Sequence, residues 1–239
     1  MFERLKSRGG DFPICLYFGS MNYELTIKPE GRKLPIGKML CLGKNYALHA
    51  KEMGGDVPSE PVIFTKPRTA FIPDGGTIQI PDISNELHHE LELVVVIGRA
   101  MRNVSEEEGM EGVLGYAVGL DMTLRDVQSR AKKRGEPWAV AKGFDTSAPI
   151  SDVVLRESVP DPSNLRMSLL VNGELRQQGE TNDMIFNIPF TISYLSRIFT
   201  LEPGDCIFTG TPEGVAQVVS GDRLVAEIEG VGRLEVAVT

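Results

Sequence analysis

The sequence has 239 residues, of which 41% are hydrophobic and 24% are charged, with 25 glycines and 15 prolines. This composition excludes collagen, a coiled coil and wholesale disorder, and the length fits one main globular domain. The formal net charge of −8 provides no overall positive field for nucleic acid or for an anionic membrane surface, so we expect a small-molecule partner.

Neither a disulfide framework nor a membrane span is expected. The cysteines at positions 15, 41 and 206 lie far apart and form no CxxC pair, which favours a reducing, cytoplasmic location. The longest apolar run, 93–97, is far shorter than the roughly 20 residues of a membrane helix. Residues 1–20 lack the features of a secretory signal, and we expect them to be an extension ahead of the first strand.

Strand-like segments dominate the chain, and candidate helices are few. The predicted strands are 23–27, 38–42, 61–65, 77–80, 90–97, 165–171, 205–209, 223–228 and 233–238, and the predicted helices are 47–53, 105–111, 124–133 and 188–199. Many strands between glycine and proline turns, with interspersed helices, indicate a mostly β fold with a few covering helices.

The first helix carries a candidate general base. His49 stands three residues before Glu52, so the two side chains share a helix face. A carboxylate beside an imidazole orients the ring and raises its basicity, which is the arrangement of a base acting on water. An ordinary surface pair is the alternative.

Two glutamates, Glu90 and Glu92, alternate with leucines at the start of the strand 90–97. Period two places both carboxylates on one face of the strand. A solvated strand face is the alternative. However, the apolar residues that follow indicate a strand buried on both faces, and two like charges at its entrance need a cation or solvent.

A third carboxylate, Asp121, ends an apolar stretch just before the helix 124–133, where it also fits a helix N-terminal residue. If Asp121 converges with Glu90 and Glu92, the three make an all-oxygen set suited to Mg²⁺, Mn²⁺ or Ca²⁺ rather than to zinc. A substrate with adjacent carboxylate and keto oxygens would then chelate the ion, which would be catalytic rather than structural.

The helix after Asp121 carries Arg125 and Gln128 on one side, and Lys142 follows in an apolar-rich segment. Together they suit an anionic, oxygen-rich ligand. Each has an alternative: Arg125 pairs with a nearby acid, Gln128 is solvated, or Lys142 snorkels. Three carboxylates, a divalent ion and Lys142 sum to a neutral site, so Arg125 would favour an acidic substrate.

Two loops are marked by proline and glycine. The stretch 152–165, with two prolines, is predicted to be a long surface connection. Near the C-terminus, Thr209, Gly210 and Thr211 form a turn whose backbone N–H groups can hold a carboxylate, although such turns are common.

Seven motifs follow in a recognisable order: GKNYALHAKEM, PVIFTKP, LHHELELVVVIG, GLDMTLRDVQ, WAVAKGFDTSAPI, VNGELRQQGETNDMIFNIP and LEPGDCIFTGTPEGV. By these motifs the chain, from about Lys38 onward, resembles the fumarylacetoacetate hydrolase superfamily. The closest branch is that of the single-domain acylpyruvate hydrolases and oxaloacetate decarboxylases. The resemblance implies a mixed β-roll and a homodimer. It also implies an extension and strand over 1–35, followed by a catalytic domain over 36–239.

The resemblance also implies roles for individual residues. A divalent metal, Mg²⁺ or Mn²⁺, is expected at Glu90, Glu92 and Asp121, with Lys142 supporting an enolate. The residues expected to contact the substrate are Lys66, Arg125, Gln128, Thr209 and Gly210. His49 and Glu52 match a mobile lid that brings the water-activating pair over the ligand.

The expected function is hydrolysis of the C–C bond of acylpyruvates to pyruvate and a carboxylic acid, with oxaloacetate decarboxylation at the same site. In this hypothesis His49 takes a proton from the attacking water, and the metal and Lys142 meet the charge of the departing enolate. One alternative is a 2-hydroxyhepta-2,4-diene-1,7-dioate isomerase or the related decarboxylase of aromatic catabolism. Another is a metal-dependent binding protein without catalysis.

Overall fold

The computed structural model describes residues 23–52, 54 and 57–239, within which the chain forms eighteen β-strands and five α-helices. The strands are β1 (Glu24–Lys28), β2 (Arg32–Pro35), β3 (Met39–Gly43), β4 (Val62–Lys66), β5 (Phe71–Ile72), β6 (Thr77–Ile78), β7 (Leu87–His88), β8 (Leu91–Ile97), β9 (Val113–Leu120), β10 (Thr123–Leu124), β11 (Ala148–Pro149), β12 (Val153–Leu155), β13 (Arg166–Val171), β14 (Glu174–Glu180), β15 (Cys206–Phe208), β16 (Gln217–Val218), β17 (Arg223–Ile228) and β18 (Gly232–Val238). The helices are α1 (Ala47–Glu52), α2 (Glu106–Glu111), α3 (Arg125–Arg134), α4 (Ala139–Lys142) and α5 (Ile188–Ile198).

Most strands belong to two sheets. An eight-stranded sheet has the order β2-β1-β12-β9-β8-β15-β3-β4, and a five-stranded sheet has the order β14-β13-β17-β18-β6. The larger sheet is mixed, since β15 pairs in parallel with β3 and antiparallel with β8. The predicted mostly β fold with a few helices, a mixed β-roll, is confirmed.

The strand β8 is buried along its whole length and lies near the middle of the eight-stranded sheet. Period-two alternation divides its side chains between two hydrophobic clusters. Leu93 and Val95 pack in the larger cluster, whereas Val94 and Val96 pack in the smaller one. An unbroken apolar run is the pattern of a strand covered on both faces, which explains why 93–97 forms the centre of the fold.

The main partner of β8 is missing from the sequence prediction. The strand β9 pairs with β8 along its length, but Gly115 and Gly119 interrupt its apolar pattern. The prediction for 152–165 was wrong in part, because β12 inserts there between β1 and β9 and buries Val153 completely. Three residues are too few to show a strand period, and the flanking prolines and charges dominate the composition.

The hairpin of β1 and β2 forms one end of the eight-stranded sheet. The predicted extension 1–20 and Cys15 lie outside the described residues, whereas Cys41 and Cys206 are buried free thiols. Within the described part of the chain, no helix has the length and apolar character needed to cross a membrane.

Candidate active site

The pairing of β8 with β9 brings three carboxylates together. Leu91 is opposite Leu120, so Glu90 and Asp121 lie at the same end of the strand pair, where the Asp121 amide donates to the Glu90 carbonyl at 2.9 Å. Oxygen atoms of Glu90, Glu92 and Asp121 all lie within 4.8 Å of one another, and all three residues are buried. The backbone register, rather than any loop, fixes this cluster.

The chemistry of the cluster fits a divalent cation. Glu92 accepts a hydrogen bond from the Gly210 amide at 2.7 Å, but it pairs with no cationic side chain of the described residues. Burial, with the charges of Asp121 and Glu90, raises the pKa of the Glu92 carboxyl well above its usual range. Glu90, Glu92 and Asp121 would hold such an ion through hard oxygen donors, and its charge would compensate the buried carboxylates.

Lys142 contacts two of the three carboxylates. Its ammonium donates to Glu90 Oε2 at 2.8 Å, to Asp121 Oδ2 at 2.5 Å and to the Thr123 hydroxyl at 2.7 Å. It also lies 4.9 Å from the ring centre of Phe64. Although burial opposes the charged form, Asp121 and Glu90 raise the pKa of Lys142 above its ordinary value. The lysine is therefore a fixed positive charge within the cluster.

Lys66 lies behind the cluster rather than along the cleft in front of it. Its side chain is completely buried, and Nζ is 2.8 Å from Asp121 Oδ1. The ammonium also donates to the Ser147 hydroxyl and carbonyl, each at 3.0 Å, to the Met122 carbonyl at 3.3 Å and to the Lys142 carbonyl. These contacts account for all its hydrogens, so the lysine orients Asp121 and the backbone around it.

Arg125 opens α3 and connects this helix to the cluster. Its guanidinium donates to Glu90 Oε1 at 2.5 Å and to Gln128 Oε1 at 2.7 Å. Although burial opposes ionisation of Glu90, Lys142 and Arg125 hold the pKa of that carboxyl well below its usual range. The cluster therefore combines Glu90, which is held ionised, with Glu92, which lacks a cation.

The helix α1 presents the predicted base. His49 is buried, and its Nδ1 lies 3.1 Å from Glu52 Oε2. Glu52 Oε1 accepts the Gly214 amide at 3.1 Å. Because the carboxylate accepts a hydrogen bond from Nδ1–H, Nε2 of the ring is the nitrogen available to take a proton.

The turn 209–211 holds a carboxylate, but that carboxylate belongs to the protein. Gly210 donates its amide to Glu92, with a positive φ of 93° and with Asn45 so close that a Cβ would lie 2.7 Å from the Asn45 Cβ. The Thr209 hydroxyl donates to the Leu93 carbonyl at 2.9 Å. Thr211, and not Thr209, lines the cleft.

A single cleft collects most of the predicted residues. Six of them line it: His49, Glu90, Glu92, Arg125, Gln128 and Lys142. Seven further residues line it, of which only Thr211, in the turn 209–211, was assigned a role from the sequence: Leu42, Gly43, Lys44, Phe64, Lys132, Trp138 and Thr211. Helical spacing was the available signal for Lys132, which stands four residues after Gln128 and seven after Arg125. No pattern in the sequence indicates Phe64 or Trp138.

A buried amide joins the glutamate strand to the turn. Gln177 Oε1 accepts from His89 Nδ1 at 2.8 Å and from the Leu91 amide at 3.0 Å. Its Nε2 donates to the Thr211 hydroxyl at 2.8 Å and to the Pro212 carbonyl at 3.0 Å. The Leu91 amide only donates and the Pro212 carbonyl only accepts, so the orientation of Gln177 is fixed and His89 carries its proton on Nδ1.

Comparison with known proteins gives three kinds of match. Residues 38–239 match the family model described as fumarylacetoacetate (FAA) hydrolase C-terminal. The chain is 53% identical over 205 residues to the mitochondrial oxaloacetate tautomerase FAHD1 of Bos taurus, covering 85% of this chain and 93% of that protein.

Two solved structures are similar over most of the chain. The fumarylpyruvate hydrolase of Pseudomonas aeruginosa, in complex with Mn²⁺ and pyruvate, has a TM-score of 0.87 and 42% identity, covering 90% of this chain and 95% of that one. The 5-carboxymethyl-2-hydroxymuconate delta-isomerase of Mycobacterium smegmatis has a TM-score of 0.77 and 40% identity, covering 87% and 80%.

Proposed function

Because this chain belongs to the fumarylacetoacetate hydrolase family, we propose that it is a divalent-metal-dependent enzyme that hydrolyses acylpyruvates to pyruvate and a carboxylic acid. Membership confirms the resemblance carried by the seven motifs. The observation that carries the proposal is the placement of two groups in one cleft. These are the His49–Glu52 pair and the carboxylate cluster with Lys142.

The charge of the site supports an anionic substrate. Three carboxylates, Glu90, Glu92 and Asp121, balance the three cationic side chains that contact them, which belong to Lys66, Arg125 and Lys142. A bound divalent ion would leave two positive charges in excess. This excess matches the carboxylate of a 2-oxo acid together with the negative charge that develops when its enolate forms.

The ion, held by the three carboxylates, would supply Lewis acidity toward the 1-carboxylate and 2-oxo oxygens of the substrate. Glu52 orients His49, whose Nε2 takes a proton from water as the water oxygen bonds to the 4-carbonyl carbon. The bond between C3 and C4 then breaks, and its electron pair passes to the pyruvate fragment as an enolate. Lys142 lies where its charge stabilises that enolate.

The proton that His49 took from water passes to C3 of the enolate, which releases pyruvate, and the C4 fragment leaves as a carboxylic acid. The phenyl ring of Phe64 and the indole of Trp138, whose centres lie 5.9 Å apart, give one side of the cleft an apolar wall. The substrate-binding roles proposed for Arg125 and Gln128 rest on their place in the cleft wall. The substrate-binding roles proposed for Lys66, Thr209 and Gly210 are indirect. Lys66 acts through Asp121, Thr209 through the strand β8, and Gly210 through Glu92.

A second reaction, enolisation or decarboxylation of oxaloacetate, would use the same 2-oxo acid contacts. The relative of Bos taurus, named an oxaloacetate tautomerase, favours this candidate because it shares more than half of its aligned residues with this chain. Interconversion of keto and enol forms needs removal and return of one C3 proton, and no attack by water. His49 is the base within the cleft that can perform this exchange.

The test is loss of the enol absorbance of acetylpyruvate with purified protein, before chelator treatment, after it, and after addition of Mg²⁺ or Mn²⁺. Oxaloacetate is run in parallel, with separate detection of enol conversion and of released CO₂. We expect metal-dependent formation of pyruvate and acetate in equal amounts. Activity on oxaloacetate alone would make the conversion of oxaloacetate the main reaction. Inactivity on both acetylpyruvate and oxaloacetate would refute the proposal and direct attention to diene dioate substrates.

We also propose a homodimer in the cytoplasm. The two buried free thiols, Cys41 and Cys206, suit a reducing compartment. Light scattering on the purified protein measures the oligomeric state directly, and a mass near one chain of 26.2 kDa would refute the dimer.

A further inference from the structure

One face of α3 carries a row of polar side chains from the carboxylate cluster to the mouth of the cleft. Arg125, Gln128 and Lys132 are spaced three and four residues apart, and all three line the cleft. At 1.5 Å per residue, Lys132 stands about 10 Å along the helix axis from Arg125. The row therefore has an inner end at Glu90 and an outer end at Lys132.

The outer end of the row is positively charged, and no carboxylate of the described residues pairs with it. Lys44 lines the same cleft as Lys132. Among the described residues neither lysine forms an ion pair, whereas Arg130, one helical face away, pairs with Asp126 at 3.1 Å. Partial burial and the charges of Arg125 and Lys44 lower the pKa of Lys132, so the three cations share one electrostatic environment. This local excess of positive charge lies in a chain whose formal net charge is −8.

An aromatic surface holds the Lys132 ammonium at the cleft. Its Nζ lies 5.2 Å from the ring centre of Trp138, which also lines the cleft and packs against Phe64. Contact with the indole reduces the number of positions open to the long side chain. Binding of a ligand to this ammonium therefore costs less side-chain conformational entropy than binding to a free surface lysine.

We propose that Lys132, with Lys44 beside it, is a specificity-determining residue that binds a second carboxylate at the far end of the substrate. This inference rests on the proposed function and adds the substrate class: 2-oxo acids whose chain ends in a carboxylate. Because the row is long, the second carboxylate lies several carbon atoms from the keto group. The 1-carboxylate and 2-oxo group of the substrate lie at the inner end of the row, and Lys132 binds the second carboxylate at the outer end.

The test compares two ligands that contain no cleavable bond. 2-Oxoadipate and 2-oxohexanoate have the same six carbons and the same 2-oxo acid end, but only the first ends in a carboxylate. Their dissociation constants for the Mn²⁺-loaded protein are measured by titration calorimetry. We expect 2-oxoadipate to bind about tenfold more tightly, with the ratio falling toward one in Lys132→Met and staying high in Lys132→Arg.

Lys133→Met is the matched control, because Lys133 is the adjacent exposed lysine of α3 and does not line the cleft. It should keep the ratio of the parent protein. Equal binding of the two ligands by the parent protein, or an unchanged ratio in Lys132→Met, would overturn the inference.

Turnover separates this inference from the proposed function. Rates with succinylpyruvate and butanoylpyruvate, which share a four-carbon acyl group, are measured on the same preparations. Binding preference for 2-oxoadipate without hydrolysis of either acylpyruvate would refute the proposed function and leave the carboxylate site standing. Hydrolysis of both at equal efficiency, with equal binding of the two oxo acids, would refute the site alone.

Discussion

At the scale of single residues, the imidazole of His49 and the carboxylate of Glu52 act as one unit. Their contact fixes which ring nitrogen accepts a proton, and the Gly214 amide fixes the carboxylate in turn. Neither residue is among the three carboxylates proposed to hold the metal. The base and the metal-binding cluster are therefore separable by mutation.

We expect His49→Ala to lower the rate of acylpyruvate hydrolysis by about 10²-fold or more, since that is the usual contribution of a positioned base. Its affinity for Mn²⁺, measured by titration calorimetry, should change little. Glu52→Gln should show a smaller loss of rate, because the ring keeps a hydrogen-bonding neighbour without the negative charge. Hydrolysis by His49→Ala at the parental rate would show that another group activates the water.

His88 provides a pH test at the same scale. Burial and the charge of Arg125 lower its pKa from 6.5 to about 4. The unfolded chain therefore binds more protons between these values, so the contribution of His88 to stability is complete above pH 6.5 and is lost as the pH falls toward 4. In urea unfolding, the drop in stability from pH 7 to pH 5 should be about 1 kcal/mol larger in the parent than in His88→Gln, after allowance for partial exposure. Equal drops would contradict the shift.

At the scale of elements, α2 begins with a complete capping box. The Ser105 hydroxyl accepts the Glu108 amide at 3.2 Å, and the Glu108 carboxylate accepts the Ser105 amide at 2.9 Å. Ser105→Ala should lower the free energy of unfolding by about 1 kcal/mol, without change in ligand binding, because α2 lies away from the cleft. Ser129→Ala, at an exposed position within α3, serves as the control and should cost nothing measurable. A loss of equal size in both variants would exclude the cap as its cause.

Element by element, the sequence predicts what a local pattern can encode. The run 93–97 indicates a central strand, and the alternation at Glu90 and Glu92 indicates a shared face, because both signals lie within a few residues. The approach of Asp121 to these glutamates depends on the register of β9. The glycines of β9 interrupt its apolar pattern, so the strand is not predicted from the sequence. A turn motif likewise does not tell which threonine faces the cleft, and the structure places Thr211 there.

The position of Lys66 shows a second limit. A lysine within a family motif on a strand is expected to reach a ligand. However, β4 lies at the edge of the sheet, and α4 and the segment around Ser147 pack over its end. Enclosure by segments 76 and 81 residues away in sequence cannot be read from neighbouring residues. Long-range packing, and not propensity, decides such cases.

At the scale of the whole molecule, a divalent cation should stabilise the folded state as well as take part in the reaction. Excess Mn²⁺ at about 100 times its dissociation constant adds about 2.7 kcal/mol of stability, which raises the melting temperature by roughly 5 to 10 °C for a chain of this size. Glu92→Gln should lose this rise yet remain folded without metal, because the amide resembles the protonated carboxyl that its raised pKa favours.

The matched control for this experiment is Glu107→Gln, on the exposed face of α2. It should keep the full rise with Mn²⁺, as measured by differential scanning calorimetry at several metal concentrations. A rise of the same size in Glu92→Gln would show that the ion binds elsewhere.

The enclosure of Lys66 and Asp121, with 0% and 1% of their side chains exposed, has a consequence for inheritance. Loss of Asp121 leaves the Lys66 ammonium in the interior without a carboxylate, and loss of Lys66 removes a cation from Asp121 and a donor from three backbone carbonyls. Breaking a buried pair by removing one partner costs about 3–5 kcal/mol, a large share of the 5–15 kcal/mol that keeps a domain folded. In a lineage that descends from this sequence, a single substitution at either position therefore carries a stability cost of that size, which favours the retention of both codons.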